Sequence, residues 1–455
     1  MRLRMVVALG FPLLVPAQPA PMTIQEAVTR SVATYPAVRA SMEQVAAAAA
    51  GINLARTSFL PRADFLGQVN RATHNNVFGQ MLPQSVIPSM SGPVLGTNSL
   101  SNVWGTAAGA LVTWEPVDFG LRRANVDTAK AVRDRAAAEV NVSKLQVAIA
   151  VSDAFLTIAA AQQTVTAAAA GVERARVLNG VIETLVKNEL RPGADASRSR
   201  AELALATNFR IQAEQSRDVA RAALAQLLAA SPETVAISPG TLLSSLPSPA
   251  VVPAASASQH PLAVVGEANI AEVKAREEAL NRSYYPRFYL QGAEYARGTG
   301  IQADGTTGGP ASGLGPNTQN WAIGASVVFP VFDFFSLKAK KEVEAHNERS
   351  AAARYDQTLQ DINGQVAKAK AVLDGARQIA QNTPIQLEAA RAAEQQATAR
   401  YRSGLGNLTE VAEAQRILTQ SEIDDALARL GVWRAMLGLA SAQGDLTPFL
   451  AVAGK

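Results

Sequence analysis

Apolar residues recur along the chain in two different rhythms. From Leu121 to about Asn188, a stretch without proline, a seven-residue period runs throughout, in one row through Val126, Arg133, Val140, Val147, Ala154, Ala161, Ala168, Ala175 and Ile182 and in a second through Ala129, Ala136, Ser143, Ala150, Thr157, Thr164, Gly171, Leu178 and Leu185. That period, with small residues on the seam, predicts a long helix in close coiled-coil contact. Leu359, Val366, Leu373, Ala380 and Leu387 repeat the spacing, with Pro384 predicting a kink, and Val411, Leu418, Asp425, Val432 and Leu439 continue it. Elsewhere the period is two. Residues 62–72 alternate; Trp104, Thr106, Ala108, Ala110, Val112 and Trp114 share one face, as do Trp321, Ile323, Ala325, Val327 and Phe329. Residues 22–59 read as helix, with Thr23 as N-cap, Glu26 completing a capping box, and a stop at Pro61.

The alternating segments stay apolar on one face for about 9 to 11 residues and carry Trp104, Trp114, Trp321 and Phe329 at or near their ends, as an aromatic belt would. That suits a membrane-spanning strand, although a half-buried strand of a soluble sheet fits the alternation equally well. The connections favour the membrane. "THNNVFGQMLPQSVIPSMSGPVLGTNSLSN" and "TGIQADGTTGGPASGLGPNTQ" are long and rich in Gly, Ser, Asn and Pro, as outward-facing barrel loops are. Four strands are too few to close a barrel around a cavity, so the membrane reading requires a barrel shared between subunits.

The chain also matches itself. At a shift of 225, "SFLPRADFLGQVN" pairs with "SYYPRFYLQGAEY"; at a shift of 215, Asp118 pairs with Asp333 and Asp195 with Glu410. Each copy reads helix, strand, loop, strand, long helix, turn, helix, which places the copies at 21–230 and 259–443. A Pro/Ser/Ala-rich linker, 231–258, lies between them and a tail, 444–455, follows. About 70 helical residues span roughly 105 Å, close to two shorter helices of ~38 and ~35 residues laid end to end.

Composition narrows the chemistry. The net charge of +4 is spread along the chain and aromatics make up 5% of it, which argues against a nucleic-acid partner. There is no cysteine, and His74, His260 and His346 lie far apart, so neither a metal site nor another cofactor site is expected. No catalytic motif is present, and an enzyme is not expected. Residues 1–20, with Arg2 and Arg4 before an apolar run, read as a secretory signal peptide. No later run reaches about 18 uninterrupted apolar residues, so a transmembrane helix is not indicated.

Six segments then carry a resemblance over essentially the whole mature chain: the two strand-flanking segments above, "WEPVDFGLRRANVDTAKA" and "FPVFDFFSLKAKKEVEAH" at the strand-to-helix joins, and "ELRPGADASRSRAELA" and "YRSGLGNLTEVAEAQRIL" at the helical turns. In this order, duplicated, they resemble the TolC-like outer-membrane efflux proteins. The resemblance implies a mainly α fold with transmembrane β: a homotrimer with a 12-stranded barrel in outer-membrane lipid, four strands per chain, continued by an α-helical coiled-coil tunnel across the periplasm of a Gram-negative cell. It implies a passive exit duct for tripartite efflux or type I secretion, with a periplasmic adaptor and an inner-membrane pump as partners. The substrate, whether drug, solvent, metal or protein, is not implied.

By motif position, the resemblance puts a periplasmic gate at Tyr401, Glu410 and Glu413, with Asp195 at the matching turn, and adaptor-docking tips at Leu190, Pro192 and Gly193 and at Gly404, Leu405 and Gly406. Two positions depart from the family pattern. Gly406 stands where a basic latch residue is usual, and Phe335 stands where the first copy has Gly120, which implies a weaker latch or a different one. The residues alone also allow a bland account, in which Asn407 and Glu410 form a capping box and the glycines relieve positive φ. A soluble periplasmic coiled-coil scaffold or adaptor is the alternative function.

Overall fold

The structure is a computed structural model that describes residues 21–73, 101–242, 246–247, 256–302, 304, 306–329 and 331–454. The expected signal peptide, His74 and most of the first long loop lie outside them.

The main elements run α1 (Ile24–Thr34), α2 (Pro36–Thr57), β1 (Arg62–Thr73), β2 (Asn102–Val117), α3 (Leu121–Lys187), α4 (Gly193–Leu227), α5 (Pro261–Arg282), β3 (Arg287–Thr299), β4 (Thr318–Val328), α6 (Phe334–Arg402), α7 (Leu408–Gln443) and α8 (Thr447–Ala453). The order from α2 to α4 recurs from α5 to α7. The helix expected over 22–59 is two helices, because Tyr35 adopts an extended backbone (φ −65°, ψ 131°) ahead of Pro36, the conformation a following proline favours. Its capping box forms as expected: the Glu26 N–H donates to the Thr23 hydroxyl and the Thr23 N–H to the Glu26 carboxylate. Helix α6 continues through Pro384. The expected tail contains α8, whose Phe449 lies edge-on to Trp433.

The chain divides into two compact units, each built from both copies. One comprises 1–43, 137–265 and 355–455, and the other 44–136 and 266–354. The first holds the main core, where Val151, Phe155, Leu156, Ile158, Leu224, Leu228 and Trp433 are buried with Ile24 and Val28 of α1 and Phe449 of α8. The linker is part of this core: Val235, Ile237 and Leu242 are buried, and Met22 forms a parallel bridge with Ile237. Helix α3 is long and apolar enough, by average composition over an 18-residue window, to cross a membrane, although it contains no uninterrupted apolar run of that length. Its apolar side chains serve packing instead, with Val151, Phe155, Leu156, Ile158 and Ala159 buried in this core.

Where the linker meets α5, His260 is the residue before the first helical turn, and its Nδ1 accepts the Leu262 N–H at 3.1 Å. Its ring lies against Gly444, the left-handed C-cap of α7 (φ +79°). A Cβ on Gly444 would stand 2.6 Å from His260 Cδ2, so only glycine satisfies both the φ and the close approach.

The second unit holds a four-stranded antiparallel sheet in the order β1-β2-β3-β4. Its strand-to-helix join at the start of α3 is closed by Asp118, whose carboxylate accepts the Gly120 and Arg122 N–H groups and pairs with the Arg122 guanidinium at 3.0 Å. Arg122 also donates to the Ser58 carbonyl and stacks over Phe59 at 4.8 Å. Position 337 corresponds to Arg122 in the second copy and is leucine, so this lock is not repeated at the start of α6.

Candidate functional site

Two regions carry the expected functional residues, one in each unit. In the sheet, the register aligns Phe65, Ala110, Glu294 and Trp321 on one face, with Ala63, Val112, Gly292 and Ile323 beside them and Trp114 next to Leu290 and Ala325. This face is apolar and open: Phe65 is 87% exposed, Ile323 82% and Trp321 74%. Trp114, Val327 and Phe329 are exposed as well. The opposite face carries Asp64, Gln68, Asn70, Thr113, Gln291, Tyr295, Arg297 and Asn320. An apolar exposed face backed by a polar one is the inverse of a soluble sheet over a core, and it is the pattern of a strand set between lipid and water. Three members of the expected aromatic belt, Trp114, Trp321 and Phe329, stand on the open face. Trp104 is half-buried, stacked by Arg71 at 5.2 Å, and its carbonyl accepts the Gly300 N–H. Two charges stand on this face, the exposed carboxylate of Glu294 in its middle and Arg71 beside Trp104 at its end.

The other region is the pair of helical turns, α3 to α4 and α6 to α7, both in the first unit. Tyr401, at the end of α6, is 2% exposed and packs with Ile182, Ala196, Leu408 and Val411. Arg191, from the other turn, stacks over the Tyr401 ring at 4.6 Å and donates to the Tyr401 carbonyl at 3.1 Å. Burial raises the Tyr401 phenol above its ordinary pKa, the nearby Asp195 carboxylate adds to the shift, and Arg191 opposes it. The hydroxyl has no partner among the described residues. Tyr401, Asp195 and Arg191 therefore form one cluster that joins the two turns.

Glu410 and Glu413 are exposed, and each has an arginine. The Arg400 Nε lies 3.9 Å from the Glu410 carboxylate, and Arg416 pairs with Glu413. Of the expected capping box only half forms: the Glu410 N–H donates to Asn407 Oδ1 at 2.9 Å, while the Glu410 carboxylate turns toward Arg400. The glycine chemistry also differs from expectation. Positive φ falls on Gly404 (76°) in the second turn but on Glu189 (56°) in the first, so neither Gly193 nor Gly406 is there to relieve it. Gly406 answers a closer constraint, since a Cβ there would meet Arg400 Cβ and Glu410 Oε2 at 3.2 Å. At the turns Leu190 is 67% exposed and Leu405 74%, with Pro192 and Gly193 also open to solvent.

Sequence reasoning passed over Arg191, although it sits between two residues singled out as a docking tip. It also missed Arg174, which bridges α3 to α7 through Glu422 (2.8 and 3.2 Å) and Thr419 (2.7 Å). Arginine on the seam side of an alanine-rich helix was the available signal. Among the described residues no cluster of His, Asp or Glu has the makings of a metal site.

The comparisons with known proteins bear on the family and the fold. The family model described as "Outer membrane efflux protein" matches residues 28–230 and 258–445. No curated protein matches. Among solved structures, the chain is similar to CusC, from a study of folding and transmembrane channel formation (TM-score 0.74, 15% identity, 98% of each chain). It is also similar to the CmeC outer membrane channel of Campylobacter jejuni (0.71, 14%, 98% of this chain and 94% of that one), and to the open state of the MtrE outer membrane channel of Neisseria gonorrhoeae (0.69, 18%, 93% and 89%).

Proposed function

Because this chain belongs to the outer membrane efflux protein family, we propose that it is the homotrimeric exit duct of a tripartite efflux or secretion assembly. As a member of that family it resides in the outer membrane and extends into the periplasm; the alternative of a soluble scaffold is set aside. The observation that carries the trimer is the sheet: four strands with an open apolar face, a polar reverse and unpaired edges at β1 and β4. In lipid an open edge cannot persist, and three such sheets joined edge to edge close a barrel of 12 strands. In this reading an inner-membrane pump supplies the energy, a periplasmic adaptor supplies contact at the tips around Leu190 and Leu405, and the chain itself performs no chemistry.

The two turns act as the gate. Arg191 takes the latch role that Gly406 leaves vacant, holding the end of α6 to the start of α4 through Tyr401. Glu410 and Glu413 set cation entry, moderated by Arg400 and Arg416. Single-channel recording in planar bilayers tests both roles. Arg191→Ala raises the resting conductance, and Glu410→Gln with Glu413→Gln lowers cation selectivity and divalent-cation block. Unchanged traces from both sets would remove the turns from gating. Native electrophoresis in mild detergent tests the assembly, with a monomer as the contrary result.

A further inference from the structure

The first unit contains a cleft of about 350 Å³ between α3, α4 and α7 that overlaps the gate residues only at Leu408 and Arg416. Its floor is Ala168, Gly171 and Ala175 of α3, where side chains are too short to fill it. Gly171 lies so near α7 that a Cβ there would stand 3.0 Å from the Thr419 hydroxyl. Leu178, Leu205 and Phe209 supply apolar walls. Two charged side chains line it, Glu202 and Arg416. Arg416 is neutralised by Glu413, whereas Glu202 makes no hydrogen bond or ion pair among the described residues.

We propose that this cleft binds a lipophilic organic cation, one whose charge is spread over an apolar body. An anion would face the Glu202 carboxylate. A neutral apolar molecule would cover that carboxylate without compensating it, which costs free energy. A small metal ion would find one carboxylate and apolar walls in place of the six or more oxygens it needs. A bulky cation satisfies all three features: its charge meets Glu202, its face meets the Phe209 ring, and its apolar body covers Leu178 and Leu205. The volume lies at the lower end of that of drug-sized sites. Bound there, the ligand bridges α4 to α7 close to the start of α7 at Leu408.

Titration calorimetry of the full-length protein in detergent, with tetraphenylphosphonium as the probe, tests the site. Saturable binding of one cation per chain is expected. Glu202→Gln, nearly isosteric, should weaken it at least about fivefold, the scale of a partly exposed ion pair with a cation–π contact. Ala206→Trp, which fills the cleft, should abolish it, and neutral triphenylphosphine oxide should bind more weakly than the cation. Equal affinity in both variants, equal affinity for the neutral compound, or no saturable binding would each overturn the proposal. So would a photo-crosslinker at position 206 that joins two copies of the chain or captures a protein helix in the assembled trimer, since the cleft would then be a protein contact.

Discussion

The surroundings of His260 favour its neutral form. Burial lowers the imidazole below its ordinary pKa, and the hydrogen bond to the Ser441 backbone opposes this only in part, while Nδ1 is committed to the Leu262 N–H. A depressed imidazole stabilises the fold in its neutral form. That contribution is complete above the unfolded value of about 6.5 and is lost as pH falls from there toward the folded value. Melting temperature measured from about pH 7.5 to 5 should therefore drop, and His260→Asn, which keeps a capping acceptor, should flatten that part of the profile. On the sheet, Glu294 is the anomaly: a carboxylate in line with Phe65 and Trp321 on the apolar face. If that face meets lipid, Glu294→Leu should stabilise the protein against unfolding from vesicles by about 1 kcal/mol or more. A loss of stability would mean that something other than lipid meets the carboxylate.

Among the elements, the long helices were the most legible. The heptad rows gave α3 its span almost to the residue, because tens of residues in one rhythm average out local propensity. The strands were legible for the same reason, and the register places their apolar sides together. The break at Tyr35 and helix α8 were not, since each rests on a short segment whose conformation is set by what it touches. The Arg191 cluster was hidden for a related reason: it joins residues 210 positions apart, and no local pattern announces that. Two substitutions test the packing of elements. Trp433→Ala removes a side chain 1% exposed in the main core and should cost about 3–5 kcal/mol in denaturant unfolding. Asp118→Ala strips the cap of α3 and leaves the Arg122 guanidinium buried without its partner, a loss of about 3–5 kcal/mol that Asp118→Asn should reduce.

At the scale of the whole molecule, duplication and the resemblance it carried led to the family, because the match rests on ordered segments spread over the chain. The division into compact units was not visible, since folding cuts across the repeats. That cut has a consequence for how the protein is made. Helix α1 packs against α8, and Trp433 waits for Phe449, so the first unit is sealed by segments from opposite ends of the chain. As the chain is delivered, α1 emerges well before α7 and α8, so the core that holds Ile24, Ala27 and Val28 lacks part of its wall until those helices arrive. The first unit therefore cannot close in chain order, since its core is complete only once α8 has joined α1 and α7.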